Sequence, residues 1–157
     1  MRKQFGQMLH KEMSQNSQLY LITGDLGYGI LDDIRKDFPD RFVNVGSCEQ
    51  LMIGVAVGLA NSGYIPICYS ITPFLLYRPF EMIRNYINHE NLNIKLVGSG
   101  RDKDYSHDGF THFAEDDIKI MKCFENITLF KPNQLTDSIF NTFIDSTRPV
   151  YLNLRRF

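Results

Sequence analysis

The densest group of reactive side chains lies in one polar loop. Four such residues fall within six positions: His107, Asp108, Thr111 and His112. Imidazole, carboxylate and hydroxyl groups at this density can converge on one small polar ligand. A metal site is a weaker reading, because the run lacks the helical spacing of HExxH. A solvated loop that only caps the next helix is a further alternative, although the loop's length argues against it.

A second candidate is Glu49, which begins a predicted apolar helix. Leu51, Met52 and Ile53 follow it closely. Burying a carboxylate there costs free energy unless the group is paired, and a desolvated carboxyl group is suited to sharing a proton with a ligand. Alternatively, Glu49 only complements the helix dipole from the first turn, an effect of about 0.3–1 kcal/mol. The spacing alone leaves both readings open.

A glycine-rich turn, GDLGYG at 24–29, is a third candidate. It follows a predicted strand, as a phosphate-binding turn would. It lacks the third glycine of GxGxxG, however, and opens only a short helix. The sequence therefore does not favour a dinucleotide site here.

The elements that position these loops alternate between strand and helix. Apolar runs predict strands at 19–23, 41–45, 64–70, 93–98, 126–130 and 149–154. Apolar spacing and turn signals predict helices over 5–13, 30–36, 46–63, 79–89, 115–124 and 133–146. The helix at 46–63 is apolar almost all round, so we expect it to be buried. Such alternation predicts a three-layer α/β sandwich with a mainly parallel six-stranded sheet and ligands at the carboxyl ends of its strands.

Length and composition predict one domain over residues 1–157. The chain is 43% hydrophobic and 13% aromatic, and it contains no repeat or linker. Its formal charge of −1, with no block of either sign, disfavours nucleic-acid or anionic-membrane partners. No apolar run approaches the roughly 18 residues of a membrane span. Because the charged start is also unlike a signal peptide, we expect a cytoplasmic protein.

Cysteine chemistry is not favoured. Cys48, Cys68 and Cys123 are odd in number and lie at neither CxxC nor zinc-ligand spacing. We therefore expect no disulfide framework, no zinc site and no metal ligands from this chain.

Taken together, the motifs resemble the pyrimidine-binding domain of transketolases. NVGSCEQLMIGVAVGLA at 44–60 is similar to that domain's G-x-x-E-Q/H motif with its glycine- and alanine-rich helix. HDGFTHFAED at 107–116 is similar to its D-G-x-T-H motif, which is followed by E-D. GDLG, ITPFLLYRPFEMIR and PVYLNLRR also match in order. The resemblance thus covers nearly the whole chain.

This resemblance implies thiamine diphosphate chemistry. The glutamate of the family's motif hydrogen-bonds N1′ of the aminopyrimidine and favours the imino tautomer, whose nitrogen takes the proton from thiazolium C2. That role falls on Glu49. The aromatic residue that stacks on the pyrimidine corresponds to Phe74, with Tyr77 as a second ring contact. An ordinary core position is the alternative for Phe74.

The resemblance also implies further site residues. Asp25 corresponds to an aspartate near the cofactor, and Asp108 and His112 correspond to residues that contact the hydroxyls and carbonyl of the sugar substrate. His112 is thereby a catalytic candidate together with Glu49. Many transketolases have a histidine where this chain has Gly100 and Arg101, a feature more like deoxyxylulose phosphate synthases. We therefore expect Arg101 to bind substrate, and the identity of the sugar is left open.

Half of the implied cofactor site is missing. Thiamine diphosphate enzymes bind the diphosphate through Mg²⁺ with a GDG motif, and the chain has no GDG. We expect a natural small subunit whose separate partner carries GDG and supplies the Mg²⁺ ligands, most simply in a heterotetramer. Together they would transfer a two-carbon ketol unit between sugar phosphates or modified sugars. The alternatives are a non-catalytic homologue that regulates a partner and a subunit of a two-subunit 2-oxoacid decarboxylase.

Overall fold

The computed structural model describes residues 1–157. Its centre is one sheet of six strands: β1 (Leu19–Thr23), β2 (Phe42–Asn44), β3 (Ile65–Ile71), β4 (Lys95–Ser99), β5 (Thr128–Phe130) and β6 (Val150–Leu154). The strand order is β2-β1-β3-β4-β6-β5, and every neighbouring pair is parallel. The predicted fold class is confirmed, and the sheet is parallel throughout.

Seven α-helices and a π-helix connect the strands. The α-helices are α1 (Arg2–Gln15), α2 (Asp32–Asp37), α3 (Glu49–Asn61), α4 (Thr72–Tyr77), α5 (Phe80–Met82), α6 (Asp117–Met121) and α7 (Asp137–Asp145). The π-helix spans Ile83–His89, and short 3₁₀ turns span Pro39–Arg41, Ser106–Asp108 and Phe110–His112. None of the helices is long and apolar enough to cross a membrane.

Successive strand residues point to opposite faces of the sheet, which produces two cores. Leu21 joins the core formed with α1, α2 and α7, where Phe5 and Phe143 are fully buried. Ile22, the next residue, joins the core formed with α3, α4 and the π-helix, which includes Met52. Full burial of one such side chain stabilises the fold by about 1.5–3 kcal/mol. The helices are thereby fixed on both faces of the sheet.

Two connections differ from the sequence prediction. Helix α4 was not predicted. It begins directly after β3, with Pro73 in its first turn, where the fixed φ of proline suits a helix start. The helix predicted at 79–89 is instead α5 followed by a π-helix. Ile83 and Ile87 are both buried, and their four-residue spacing suits either type of turn.

The helix that we expected to be buried between Gly46 and Gly63 is fully buried along one stripe only. Glu49, Met52, Ile53 and Ala56 are the buried residues of α3. Leu51, on another side of the helix, is 55% exposed. Val55, Val57 and Leu59 are partly buried against the same core. The helix therefore has a buried stripe and a partly covered side on which Leu51 is exposed.

Candidate functional site

The strand order reverses between β1 and β3, and we call the place at the carboxyl ends of these two strands the crevice. From β1 the chain crosses to β2 on one side and then returns to β3 on the other. Parallel sheets bind ligands at the carboxyl ends of their strands where the order reverses in this way. Gly24 follows β1 here. A Cβ atom at Gly24 would lie 3.1 Å from Ser70 Oγ and 3.2 Å from Glu49 Oε1, so the absence of a side chain lets the turn approach this carboxylate.

Glu49 occupies the crevice as a buried carboxylate. It is the first residue of α3 and is only 2% exposed. The hydroxyl of Ser70 donates to its Oε1 at 2.9 Å, and Nη1 of Arg78 donates to its Oε2 at 2.6 Å. A charge-assisted hydrogen bond of this kind offsets the cost of burial. Of the two readings of Glu49, the structure therefore favours the buried, paired group over a simple dipole complement.

Phe74 extends this group toward the polar loop. Its ring is half-buried in α4 and belongs to neither core cluster. The guanidinium carbon of Arg78 lies 3.9 Å from the ring centroid. The imidazole of His112 meets the same ring edge to face, with centroids 4.8 Å apart. Arg78 thus links Glu49 to Phe74, and Phe74 contacts His112 directly.

Asp25 lies nearby but belongs to a separate hydrogen-bond group. It is exposed, with a positive φ of 57°. Its Oδ1 accepts hydrogen bonds from the hydroxyl of Tyr28 at 2.7 Å and from Nδ2 of Asn44 at 3.2 Å. These bonds lower the pKa of Asp25. Asp25 is therefore held as an anion at the rim of the crevice.

Tyr77 is bound to the helix that follows the polar loop. Its hydroxyl donates to a carboxylate oxygen of Asp116, and desolvation, with help from that carboxylate, raises the pKa of Tyr77. Its ring lines a cavity of about 350 Å³ together with Phe110 and Thr111. The predicted contact of Tyr77 with a pyrimidine ring stays a prediction.

The polar residues of the loop divide into two groups. Asp108 is exposed, and its carboxylate lies 3.1 Å from Nε2 of His107. His107 in turn lies within 3.2 Å of a guanidinium nitrogen of Arg156. His112 instead shares a hydrogen bond with the Thr111 hydroxyl at 3.0 Å and packs on Phe74 as described above. The side chains of Asp108 and His112 are therefore not bonded to each other.

Arg101 lies at the base of the same loop and is only 3% exposed. Its Nε donates to Asn153 Oδ1, and its Nη2 donates to the carbonyl oxygens of Asn153 and Pro132, each at 2.8 Å. These bonds fasten the loop to the end of β6. The buried arginine is an anchor, and a contact with substrate, which we expected from the sequence, stays a prediction.

A cluster of polar side chains closes the loop, and we call it the loop clip: Asp102, Asp117, Lys131, Tyr151 and Asn153. Asp102 and Ala114 form an antiparallel bridge. Lys131 Nζ lies 3.1 Å from Asp102 Oδ1 and 3.0 Å from Asp117 Oδ1. The fully buried Asp117 also accepts hydrogen bonds at 2.9 Å from the Tyr151 hydroxyl and the Asn153 amide. Both ends of the loop are thus tied to β6.

The structure groups no three His, Cys, Asp or Glu side chains in a way that could hold a metal ion. All three cysteines are free thiols. Cys68 is buried, and burial raises its pKa.

The family Transketolase, pyrimidine binding domain, matches residues 1–156. The chain belongs to this family. Among its relatives in the transketolase pyrimidine-binding family, a protein assigned as a transketolase C-terminal section in Methanocaldococcus jannaschii is 33% identical over 159 residues, covering 99% of this chain and 50% of that protein. One subunit of the apulose-4-phosphate transketolase of Actinobacillus succinogenes is 37% identical over 121 residues, covering 76% of this chain and 39% of that protein.

A solved structure agrees with the family assignment. A split-gene transketolase, described as an inactive β4 tetramer, superposes with a TM-score of 0.83 at 30% identity, covering 99% of this chain and 51% of that one. The chain spans about half the length, or less, of these transketolase relatives. The fold and the family are therefore shared, whereas the remainder of each relative lies outside the match.

The family motifs led to Glu49 and Phe74 but not to the residues that hold them. Arg78 was missed, although a charge four residues after Phe74 in an otherwise apolar segment is a usable signal. Ser70 was missed because it ends an apolar strand. Asp117 and Lys131 carry no local signal, since they are 14 residues apart and meet only in the folded chain.

Proposed function

We propose that this chain is the pyrimidine-binding subunit of a split, thiamine diphosphate-dependent transketolase-like enzyme. The enzyme would transfer a two-carbon ketol unit between sugar phosphates or modified sugars. The observation that carries this proposal is the buried Glu49 carboxylate at the β1/β3 crevice, joined to the half-buried ring of Phe74 and through it to His112. Family membership and split relatives support it.

The residues present fit the pyrimidine half of the cofactor. Glu49 offers a buried carboxyl group to a ring nitrogen, Phe74 offers a ring face, and the turn at Gly24 approaches the carboxylate closely. For the diphosphate half, the sequence lacks the GDG motif, and we assign the Mg²⁺ ligands to the partner subunit. When bound, thiamine diphosphate supplies the nucleophilic carbon that accepts and passes on the ketol unit.

Each residue then has a defined task. Glu49 holds a proton at the pyrimidine N1′, where a desolvated carboxyl group exchanges it readily with its partner. Phe74 orients the pyrimidine by stacking. His112 and Asp108 bind hydroxyl or carbonyl oxygens of the sugar from the loop, and Asp25 places a negative charge at the rim. Tyr77 and Arg101 complete the proposed site as cofactor and substrate contacts, respectively.

The proposed partner is a separate subunit that carries a GDG motif and the Mg²⁺ ligands, with two copies of each chain in the assembly. Related proteins bear the names of subunits or sections of a transketolase, and one solved relative is a split-gene transketolase, which supports a separate partner.

Co-expression with a GDG-bearing protein encoded in an adjacent reading frame tests the proposal. We expect the two chains to purify together and to bind thiamine diphosphate tightly with Mg²⁺ in calorimetry, whereas this chain alone binds it weakly or not at all. Tight binding by this chain alone would contradict the split site. A GDG-bearing neighbour that does not associate would favour a non-catalytic homologue. Decarboxylation of 2-oxoacids without ketol transfer would favour the decarboxylase alternative.

A further inference from the structure

Arg78 is held by the same two residues that are assigned to the pyrimidine. Its Nη1 donates to Glu49 Oε2 at 2.6 Å, and its guanidinium carbon lies 3.9 Å from the centre of the Phe74 ring. No other hydrogen bond of the Arg78 side chain is present. The guanidinium therefore combines a bond to the buried carboxylate with a stacked position on the aromatic face.

A guanidinium and an aminopyrimidine are alike in the features that matter here. Both are flat, delocalised groups that donate N–H bonds in their own plane and stack on aromatic rings. At 3.9 Å the guanidinium fills the space directly over Phe74. A pyrimidine cannot stack on that face and reach Glu49 while Arg78 remains there.

We propose that Arg78 is a further residue of the cofactor site, which occupies the pyrimidine position in the free chain and must be displaced when the cofactor binds. This inference rests on the proposed function, because it takes Glu49 and Phe74 to be the pyrimidine contacts. Arg78 then competes with the pyrimidine for Glu49 and Phe74, and this competition lowers the affinity for the cofactor.

The difference in exposure identifies the group that moves. The Glu49 side chain is 1% exposed and is fixed at the start of α3, whereas the Arg78 side chain is 42% exposed. The guanidinium group of Arg78 can therefore swing out into water without unfolding any helix or strand. The Ser70 hydroxyl keeps its bond to Oε1 of Glu49, so that Oε2 alone is released and shares a proton with a ring nitrogen.

Arg78 also gives the free chain a counter-ion. A buried carboxylate without a partner is strongly unfavourable. Until the cofactor arrives, the guanidinium satisfies Oε2 and keeps the crevice closed. The apparent affinity for the cofactor is then reduced by the fraction of molecules in which the ion pair is closed.

The test uses the full chain and a neutral probe, 4-amino-5-hydroxymethyl-2-methylpyrimidine, with binding followed by NMR titration. We expect Arg78→Gln to bind this probe about tenfold more tightly than the wild type. Arg84→Gln is the matched control, since Arg84 is exposed and bonds only to Asn85, and it should bind like the wild type. Raising the ionic strength should weaken the ion pair and improve binding to the wild type, but leave Arg78→Gln unchanged.

Equal or weaker binding by Arg78→Gln would overturn the displacement. So would a failure of both the wild type and Arg78→Gln to bind, because the opened crevice should accept the probe. Glu49→Ala separates this inference from the proposed function. If the probe binds Glu49→Ala as tightly as it binds Arg78→Gln, the pyrimidine does not use Glu49 and the proposed function fails. If Glu49→Ala loses binding while Arg78→Gln matches the wild type, only the role of Arg78 is rejected.

Discussion

The two halves of the proposed site are built in different ways. The Glu49 corner, made of Glu49, Ser70, Phe74 and Arg78, is attached to α3, β3 and α4, which share one core. The polar loop that carries Asp108 and His112 has no strand or α-helix of its own. It consists of 3₁₀ turns that the loop clip ties to β6 through ion pairs and hydrogen bonds.

This difference predicts that the Glu49 corner governs cofactor chemistry and that the polar loop governs the choice of sugar. The group proposed to activate the cofactor is held by the sheet and by close packing, which tolerate little change. The groups proposed to read the sugar stand on an exposed loop whose tip faces solvent, and loops accept substitution more readily than the elements they connect. A change in the corner should remove all activity, whereas a change in the loop should alter the substrate while the cofactor site survives.

The largest expected effect is that of Glu49→Ala. In the assembled enzyme, turnover should fall by about 10³-fold, since a positioned proton-transfer group contributes roughly 10²–10⁴-fold. The fold should persist, because Arg78 is partly exposed and can return to water. Steady-state kinetics and circular dichroism check both points. Near-normal turnover would show that the corner is not catalytic.

Glu49 and Phe74 were predictable because the family motifs that carry them are local in the sequence, whereas Ser70 and Arg78, the other two residues of the corner, were not predicted. Glu49 stands at the start of an apolar helix, and the strand before it and the strand after it appear as apolar runs. Alternation of strands and helices also sufficed for the parallel sheet. The extent of the burial of α3 was not predictable, since composition alone does not tell which apolar side chains of a helix the rest of the chain covers.

The loop's geometry was not predictable for the opposite reason. The pairs that fix it are distant in sequence: Arg101 with Asn153, and Asp117 with Tyr151, are separated by 52 and 34 residues. The residues of these pairs form no periodic pattern in the sequence that would show that they meet. The sequence therefore predicted Arg101 as a substrate contact, which stays a prediction, but gave no sign that its side chain is a buried anchor.

The second prediction concerns a substitution that should release the polar loop and leave the Glu49 corner intact. Asp117→Ala leaves the Tyr151 hydroxyl buried without its acceptor and removes a partner of Lys131. Loss of one partner from a buried ionic network should lower the free energy of unfolding by about 3 kcal/mol, measured by chemical denaturation. Glu115→Ala, at an exposed site, is the control and should stay within about 0.5 kcal/mol. If the two variants are equally stable, the clip does not hold the loop.

A third prediction concerns the opposite end of β4, far from both halves of the site. Lys95 begins this strand, and its ammonium group donates to the carbonyl oxygens of Ser146 and Arg148. Burial lowers the pKa of Lys95 to about 8. Above this pH the folded chain releases a proton that the unfolded chain retains, so the free energy of unfolding should rise with pH.

The rise attributable to Lys95 should be about 1.5 kcal/mol between roughly pH 8 and 9.5. Lys95→Met, which keeps the length of the side chain, should lack this contribution when denaturation curves are compared at the two pH values. The two proteins should have the same activity in the assembled enzyme. An identical pH dependence would show that Lys95 is protonated throughout the range.

The smallest effect is expected from single changes on the loop. His112→Ala and Asp108→Ala each remove one polar contact with the sugar, and either should lower kcat/KM by about tenfold. Affinity for thiamine diphosphate, measured by calorimetry on the assembled enzyme, should change little, because Glu49 and its partners are untouched. His112 is the stricter test, since its ring packs against Phe74 at 4.8 Å. His89→Ala, on the exposed end of the π-helix, provides the control. Loss of cofactor affinity in both loop variants would mean that corner and loop act as one unit, and the division between chemistry and specificity would then be wrong.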